Sequence, residues 1–238
     1  MKLAMIGLGR MGMNMAKRLL KGGHQVVAYN RSPEKTKQLV EAGAIGAYSL
    51  SEVAEKLSTP YIVWMMLPAG QAVDDHILEF KDLLLPDDIV IDGGNTYYKD
   101  DIRRAKLLEE KGIRYMDAGV SGGIWGLQIG YCLMIGGDSD TFKKLEPIFK
   151  TLAPKEGYLH CGDTGAGHFV KMVHNGIEYA MMQAYGEGFE ILEASEYGES
   201  LNYADVSHLW NQGSVIRSWL LELAEDAFRK DERLSDIK

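Results

Sequence analysis

Short apolar runs alternate with longer amphipathic stretches over the first two thirds of the chain. Strand-like runs occupy 2–7, 25–29, 61–66, 88–94, 112–118 and 131–137. Helical patterns separate most of them, notably at 33–41, 69–80 and 100–111. This alternation predicts strands joined by crossover helices, and therefore an α/β Rossmann-type, doubly wound, mostly parallel sheet.

The pattern changes near residue 164. From Gly165 onwards no segment reads as a strand, and helical patterns cover 165–195, 203–211 and 214–229. We therefore predict an α/β domain over 1–163 and an all-α C-terminal domain over 164–238. The alternative is that the glycine-containing turn at 162–165 is a loop within one continuous domain.

Composition narrows the class of protein. The chain of 238 residues is 46% hydrophobic and 25% charged, as in ordinary globular proteins, and its net charge of −8 argues against nucleic-acid binding. Cys132 and Cys161 lie far apart, so we predict neither a metal site nor a disulfide framework, and a cytoplasmic location. The apolar stretch at 169–194 contains too many charges for a membrane span.

The sequence GLGRMG at 7–12 follows the first strand and begins a helix. Gly7 permits a tight turn, Gly9 allows backbone to approach a pyrophosphate, and Gly12 allows the helix to pack on the strand. The free N–H groups of the helix N-terminus attract phosphate. This motif in this context predicts a dinucleotide site. A purely structural glycine turn is the alternative.

The second strand is followed by Asn30, Arg31 and Ser32 rather than by an acidic residue. An NAD site commonly has a carboxylate there, which bonds the ribose 2′-hydroxyl and would repel a 2′-phosphate. Arg31 can instead pair with a 2′-phosphate through its planar guanidinium. We therefore predict NADP as the cofactor, with NAD as the alternative and a solvated arginine as the structural explanation.

One helical segment combines charged and apolar residues in an unusual way. Lys171, His174, Asn175 and Glu178 share one face, while the residues between them are mostly apolar. A lysine desolvated against apolar groups has a lowered pKa and can act as a neutral base, and a carboxyl group two turns away can supply a proton. A polar network without a catalytic role remains the alternative.

Four segments together resemble decarboxylating 6-phosphogluconate dehydrogenases. They are GLGRMG with NRSPEK, IDGGNTYYKDDIRR at 91–104, GVSGGIWGLQIGYCLMIGG at 119–137 and GAGHFVKMVHNGIEY at 165–179. The resemblance implies oxidative decarboxylation of 6-phosphogluconate to ribulose 5-phosphate and CO2 in the pentose phosphate pathway. It also implies a homodimer or homotetramer, with 164–238 as a truncated substrate and dimerisation domain.

The resemblance also implies roles for individual residues. Lys171 is the expected general base and Glu178 the expected acid. The expected substrate-binding residues are Asn95, Ser121, Gly122, Gly123, His174, Asn175 and, at the phosphate, Tyr179. The expected cofactor-binding residues are Gly7, Leu8, Gly9, Arg10, Met11, Gly12, Asn30, Arg31, Ser32, Leu67, Pro68, Ala69 and Asn95.

Two departures from the family pattern leave alternatives open. Pro68 stands where longer family members have a basic residue, and the chain ends at Lys238, where they continue with more helices. A 3-hydroxyacid dehydrogenase of the hydroxyisobutyrate or tartronate-semialdehyde type is one alternative, although such enzymes usually have a Ser-Thr pair at the positions of Asn95 and Thr96. They also tend to have two asparagines at His174 and Asn175. A non-catalytic, cofactor-binding fragment is the other alternative.

Overall fold

A computed structural model describes residues 1–235 and contains one eight-stranded sheet. The strand order is β3-β2-β1-β4-β5-β6-β7-β8. The strands are β1 Lys2–Ile6, β2 Gln25–Tyr29, β3 Ile45–Ala47, β4 Ile62–Met65, β5 Ile89–Asp92, β6 Arg114–Ser121, β7 Cys132–Gly137 and β8 Tyr158–Gly162. All neighbouring strands are parallel except β6 and β7. The predicted mostly parallel Rossmann-type sheet, followed by helices, is confirmed.

Helices connect the strands and follow the sheet. They are α1 Arg10–Lys21, α2 Pro33–Glu41, α3 Leu50–Lys56, α4 Gln71–Leu83, α5 Tyr98–Glu109, α6 Gly126–Ile129, α7 Ser139–Leu152, α8 Ala166–Ala194, α9 Tyr203–Asn211 and α10 Trp219–Lys230. A 3-10 turn, Gly123–Trp125, precedes α6.

The sheet has a hydrophobic core on each face. Alternate residues of β1 belong to different cores, with Leu3 in a core that includes Leu19 of α1 and Phe149 of α7. Ile6 belongs to the other core, with Phe80 of α4. Because side chains alternate across a strand, both faces of the buried sheet require helical cover, and this produces the doubly wound arrangement.

The structure contains elements that the sequence patterns did not indicate. The strand β3 has three residues and α3 has seven, so neither is long enough to show a clear period. The edge strand β8 is only partly buried and lacks a continuous apolar run. The strands β3 and β8 extend the sheet at its two edges without changing the fold class.

The chain divides into two compact units, Met1–Met172 and a second that begins at Val173. The predicted boundary at 163–164 stays a prediction. In the second unit, Phe189, Tyr203, Leu221 and Phe228 form an apolar cluster among the later part of α8, α9 and α10. Among the helices of residues 1–235, none combines the length and apolarity required to cross a membrane.

Candidate active site

The predicted cofactor-binding residues lie in loops that follow four parallel strands. Ile6 of β1 is in register with Tyr29 of β2 and Met65 of β4, and Met65 is in register with Asp92 of β5. The predicted cofactor-binding residues therefore follow strand ends at the same edge of the sheet, in the segments 7–12, 30–32 and 67–69 and at residue 95. The strand order reverses between β1 and β4, and such a switch point is where open α/β sheets bind ligands.

The glycines of the first loop have the close contacts that the motif requires. Gly7 has φ +90°, and a side chain there would overlap the carbonyl oxygen of Met66. A side chain at Gly12 would overlap the carbonyl oxygen of Gly7. At Gly9, by contrast, no atom of the described chain lies within 4 Å of where a Cβ would stand. The backbone at Gly9 is thus open to a ligand.

The N-terminus of α1 adds to this fit. It has no side-chain cap and no acidic residue in its first turn, so its N–H groups and partial positive charge face outwards. Leu8 lies in the loop, and Arg10 and Met11 are the first two residues of α1. These features suit the pyrophosphate of a dinucleotide, which would occupy the open side of Gly9.

Asn30 fastens the glycine loop to the end of β2. Its Oδ1 accepts a hydrogen bond of 2.8 Å from the Leu8 N–H, and its Nδ2 donates one of 3.1 Å to the Ser32 carbonyl. The next residue, Arg31, is exposed and makes no hydrogen bond or ion pair within residues 1–235. The guanidinium is therefore available to a ligand. After β4, Leu67 is half-buried, whereas Pro68 and Ala69 are exposed.

Lys171 lies against β6 in the first unit. Its side chain is only 8% exposed, and a side chain at Gly119 would overlap the Cβ of Lys171. Gly119 therefore allows the first turns of α8 to approach the strand closely. Two residues later β6 ends at Ser121, where Gly122 and Gly123 turn the chain with positive φ angles of +131° and +55°.

The other predicted residues of the helical face belong to the second unit. The His174 Nδ1 lies 3.6 Å from the Glu178 Oε2 and 3.2 Å from the Asn175 Oδ1. Tyr179 is 70% exposed. All these residues lie on α8, the helix that also carries Lys171.

Three fully buried carboxylates, which the sequence analysis did not single out, stabilise the loops around this region. At the end of β5, Asp92 accepts hydrogen bonds from the Gly94 N–H at 3.0 Å and the Thr96 hydroxyl at 2.8 Å, which shapes the loop containing Asn95. Arg104 donates to Asp92 at 3.4 Å and to Asp74 at 2.7 Å. The positive charge of Arg104 thus offsets the cost of burying Asp92.

Asp117 of β6 accepts hydrogen bonds from backbone N–H groups just before and within the first turn of α8. The Gly165 N–H donates to Oδ1 at 2.6 Å, and the His168 N–H donates to Oδ2 at 2.8 Å. Burial raises the pKa of Asp117, and these hydrogen bonds to the carboxylate oppose that rise. A carboxylate at a helix N-terminus is also favoured by the helix dipole.

Asp101 of α5 pairs with His168 of α8. The His168 Nδ1 lies 2.7 Å from the Asp101 Oδ2, and the Tyr115 hydroxyl donates to the Asp101 Oδ1 at 2.7 Å. Ligand atoms of Asp101, Asp117 and His168 lie within 4.8 Å of one another, as in a metal site. Hydrogen bonds to backbone N–H groups and between the side chains explain this cluster without a cation.

The chain matches two family models along most of its length. Residues 2–162 match the NAD-binding domain of 6-phosphogluconate dehydrogenase, and residues 167–238 match the C-terminal domain of 6-phosphogluconate dehydrogenase. The NAD⁺-dependent, decarboxylating 6-phosphogluconate dehydrogenase of Haloferax volcanii is 46% identical, with 97% of this chain and 76% of that protein covered. The NADP⁺-dependent enzyme of Bacillus subtilis is 40% identical, with 97% and 51% covered.

Solved structures share this fold, and they include a 6-phosphogluconate dehydrogenase. Plasmodium falciparum 6-phosphogluconate dehydrogenase, described without ligand, with NADP⁺ and with 6-phosphogluconate, has a TM-score of 0.88 and 31% identity, with 100% of this chain and 54% of that chain covered. Mycobacterium tuberculosis 3-hydroxyisobutyrate dehydrogenase has a TM-score of 0.78 and 26% identity, with 92% and 72% covered. The chain has an NAD(P)-binding domain and belongs to the family of NAD(P)-dependent decarboxylating 6-phosphogluconate dehydrogenases.

Proposed function

We propose that the protein oxidatively decarboxylates 6-phosphogluconate to ribulose 5-phosphate and CO2, with NADP as hydride acceptor. The observation that carries the proposal is the buried Lys171, packed against β6, on the same helix as Glu178 two turns further on. The helix thus carries a candidate base and a candidate acid seven residues apart in sequence. The proposal also draws on two related proteins, both of which are named as decarboxylating 6-phosphogluconate dehydrogenases.

The glycine loop and α1 bind the cofactor pyrophosphate in this proposal. Gly9 leaves room for the phosphates, and the N–H groups at the start of α1 donate to them. A bound nicotinamide cofactor would supply the acceptor for the hydride that leaves C3 of the substrate. The loops containing Leu67, Pro68, Ala69 and Asn95 lie at the same edge of the sheet and line the remainder of the cofactor site.

Lys171 acts first as the general base. The neutral amine takes the proton of the substrate 3-hydroxyl as the hydride leaves C3, and the product is a 3-keto acid. The carboxylate is then β to a ketone, so the C1–C2 bond breaks to release CO2 and leaves an enolate. The Lys171 ammonium stabilises that oxygen and protonates it, which gives an enediol.

Glu178 completes the reaction as the general acid. Its carboxyl group delivers a proton to the carbon that has lost CO2, while the neutral Lys171 amine takes back the proton of the substrate 3-oxygen, and the enediol becomes ribulose 5-phosphate. The His174 Nδ1 lies 3.6 Å from the Glu178 Oε2. In this proposal Tyr179 contacts the substrate phosphate. The rest of the sugar acid is held by Asn95, Ser121, Gly122, Gly123, His174 and Asn175.

Arg31 supports NADP rather than NAD. It is exposed, it has no partner within residues 1–235, and neither Asn30 nor Ser32 beside it carries a negative charge. One of the related enzymes depends on NAD⁺ and another on NADP⁺, so the proposed preference for NADP rests on the Arg31 side chain.

Steady-state assays with two substrates test the proposal. We expect NADPH formation with 6-phosphogluconate and none with 3-hydroxyisobutyrate, the substrate named for a structural neighbour. Activity with 3-hydroxyisobutyrate alone would replace the proposed function by that of a 3-hydroxyacid dehydrogenase.

A further inference from the structure

Both ring nitrogens of the buried His168 face hydrogen-bond acceptors. The side chain is 1% exposed. Its Nδ1 lies 2.7 Å from the Asp101 carboxylate and its Nε2 lies 3.1 Å from the Gly94 carbonyl oxygen. A neutral imidazole carries one N–H and can donate to only one of these groups. With Asp101 ionised, both contacts are satisfied together only by the doubly protonated imidazolium.

The charges around the ring favour this cation. The titratable groups near His168 are Asp92 of β5, Tyr115 and Asp117 of β6, Asp101 and Arg104 of α5, and Lys171 on its own helix. Burial by itself lowers the pKa of His168, but the hydrogen bond to Asp101 and the charges of Asp101, Asp92 and Asp117 outweigh it and raise the pKa to about 9.

The two hydrogen bonds connect the parts of the chain that carry Asn95 and Lys171. Gly94 directly precedes Asn95, and its N–H is already held by Asp92. The His168 backbone N–H is held by Asp117, and Lys171 follows one helical turn later. A bond from His168 to the Gly94 carbonyl therefore fixes the backbone beside Asn95 relative to the first turns of α8.

We propose that the His168 imidazolium is a positioning residue, which holds Asn95 at a fixed place relative to Lys171 through its bond to the Gly94 carbonyl. The inference rests on the proposed function for the roles of Asn95 and Lys171, but the protonation state of the ring does not. When the ring loses a proton, the remaining N–H stays with the charged Asp101, because that bond is the stronger one. The Gly94 carbonyl then loses its donor and the loop containing Asn95 is released.

Nitrogen NMR of this 238-residue chain, with labelled histidine, tests the charge without any activity assay. Comparison with the His168→Gln spectrum assigns the signal, or with that of Asp101→Asn where the first variant does not fold. We expect a doubly protonated ring at about pH 7.5, well above the ordinary histidine pKa of about 6.5. In Asp101→Asn we expect deprotonation at a lower pH. A neutral ring at about pH 7.5 in the wild-type protein would overturn the inference.

Kinetics with 6-phosphogluconate and NADP test the positioning role. In His168→Gln we expect kcat/KM to fall about 10-fold to 100-fold, chiefly through a higher KM for 6-phosphogluconate. As the pH approaches 9, we expect KM to rise in the wild-type protein, and this rise should be absent in His168→Gln. If His168→Gln does not fold, Asp101→Asn should instead move that rise to lower pH.

His24→Gln is the matched control, since His24 is also a buried histidine of the first unit, and its Nε2 lies 2.9 Å from the Thr151 hydroxyl. This variant should keep the wild-type KM and pH dependence. Equal effects of the two substitutions, or an unchanged pH dependence in His168→Gln, would overturn the positioning role. Absence of turnover in the wild-type protein would contradict the proposed function alone, because the NMR result is independent of it.

Discussion

Lys171 is an amine buried within the first unit, although lysine ordinarily stays in water. If it is the general base, Lys171→Met should lower kcat about 100-fold to 10,000-fold, the usual contribution of such a group, and leave the affinity for NADP unchanged. Methionine keeps the length and apolar stem, so the measurement isolates the amine.

Lys143→Met serves as the control for the loss of a lysine. Lys143 is exposed on α7 and pairs with Asp140 at 2.9 Å. Its substitution should leave kcat near the wild-type value. A Lys171→Met protein with undiminished kcat would remove Lys171 from the mechanism.

Arg31 determines the cofactor preference in this account. Arg31→Asp should lower kcat/KM with NADP about 10-fold to 100-fold relative to NAD, because it replaces a charge-assisted hydrogen bond by repulsion. Kinetics with both cofactors measure the ratio. Lys37→Asp makes the same change of charge at an exposed position on α2 and should leave the ratio nearly unchanged. An unaltered ratio in Arg31→Asp would assign the preference elsewhere.

Among the contacts between secondary-structure elements, we expect the one between α8 and β6 to matter most for stability and activity. A methyl group at Gly119 would overlap the Cβ of Lys171 and lie 3.0 Å from the Gly167 carbonyl oxygen. Gly119→Ala should therefore lower the free energy of unfolding by about 1–3 kcal/mol and reduce kcat, because the helix must move away from the strand. Chemical denaturation and kinetics measure the two effects.

Gly188 offers a control on the same helix. No atom of the described chain lies within 4 Å of its hypothetical Cβ, so Gly188→Ala should stabilise α8 by about 0.5–1 kcal/mol. If Gly119→Ala behaved like Gly188→Ala, the close approach of α8 to β6 would be incorrect.

The buried pair between α5 and α8 makes stability depend on pH. The pKa of His168 is about 9 in the folded protein, above its ordinary value, so the folded state retains a proton that the unfolded state has lost. The stabilisation is complete below about pH 6.5 and is lost as the pH rises to about 9, an effect of about 3 kcal/mol. Denaturation at both pH values should show the decrease, and His168→Gln should lack it. A decrease of equal size in that variant would locate the titrating group elsewhere.

At the scale of the whole molecule, the sequence was most informative where local pattern and chemistry coincide. The motif Gly7–Gly12 joins the end of a strand to the first turn of a helix, and this context is visible along the chain itself. The face containing Lys171 and Glu178 is equally local, because helical spacing alone defines it. Short elements such as β3 and α3 were not predicted, since three to seven residues carry too little periodicity.

The buried network could not be predicted because its members are distant in sequence. Asp101 and His168 are 67 residues apart and meet only when α5 and α8 pack on the sheet. The available signal was indirect. Asp92 ends an apolar strand and Asp117 lies within another, and a carboxylate in such a place requires hydrogen-bond donors. The sequence does not identify those donors, and the fold supplies them as backbone N–H groups, Thr96 and Arg104.

The most direct measurement of the central claim is the stoichiometry of the reaction catalysed by this 238-residue chain. The assay uses 6-phosphogluconate labelled at C1, and follows labelled CO2 and NADPH in the same reaction. We predict that they form in a one-to-one ratio. NADPH without labelled CO2, or NADP binding without turnover, would contradict the account.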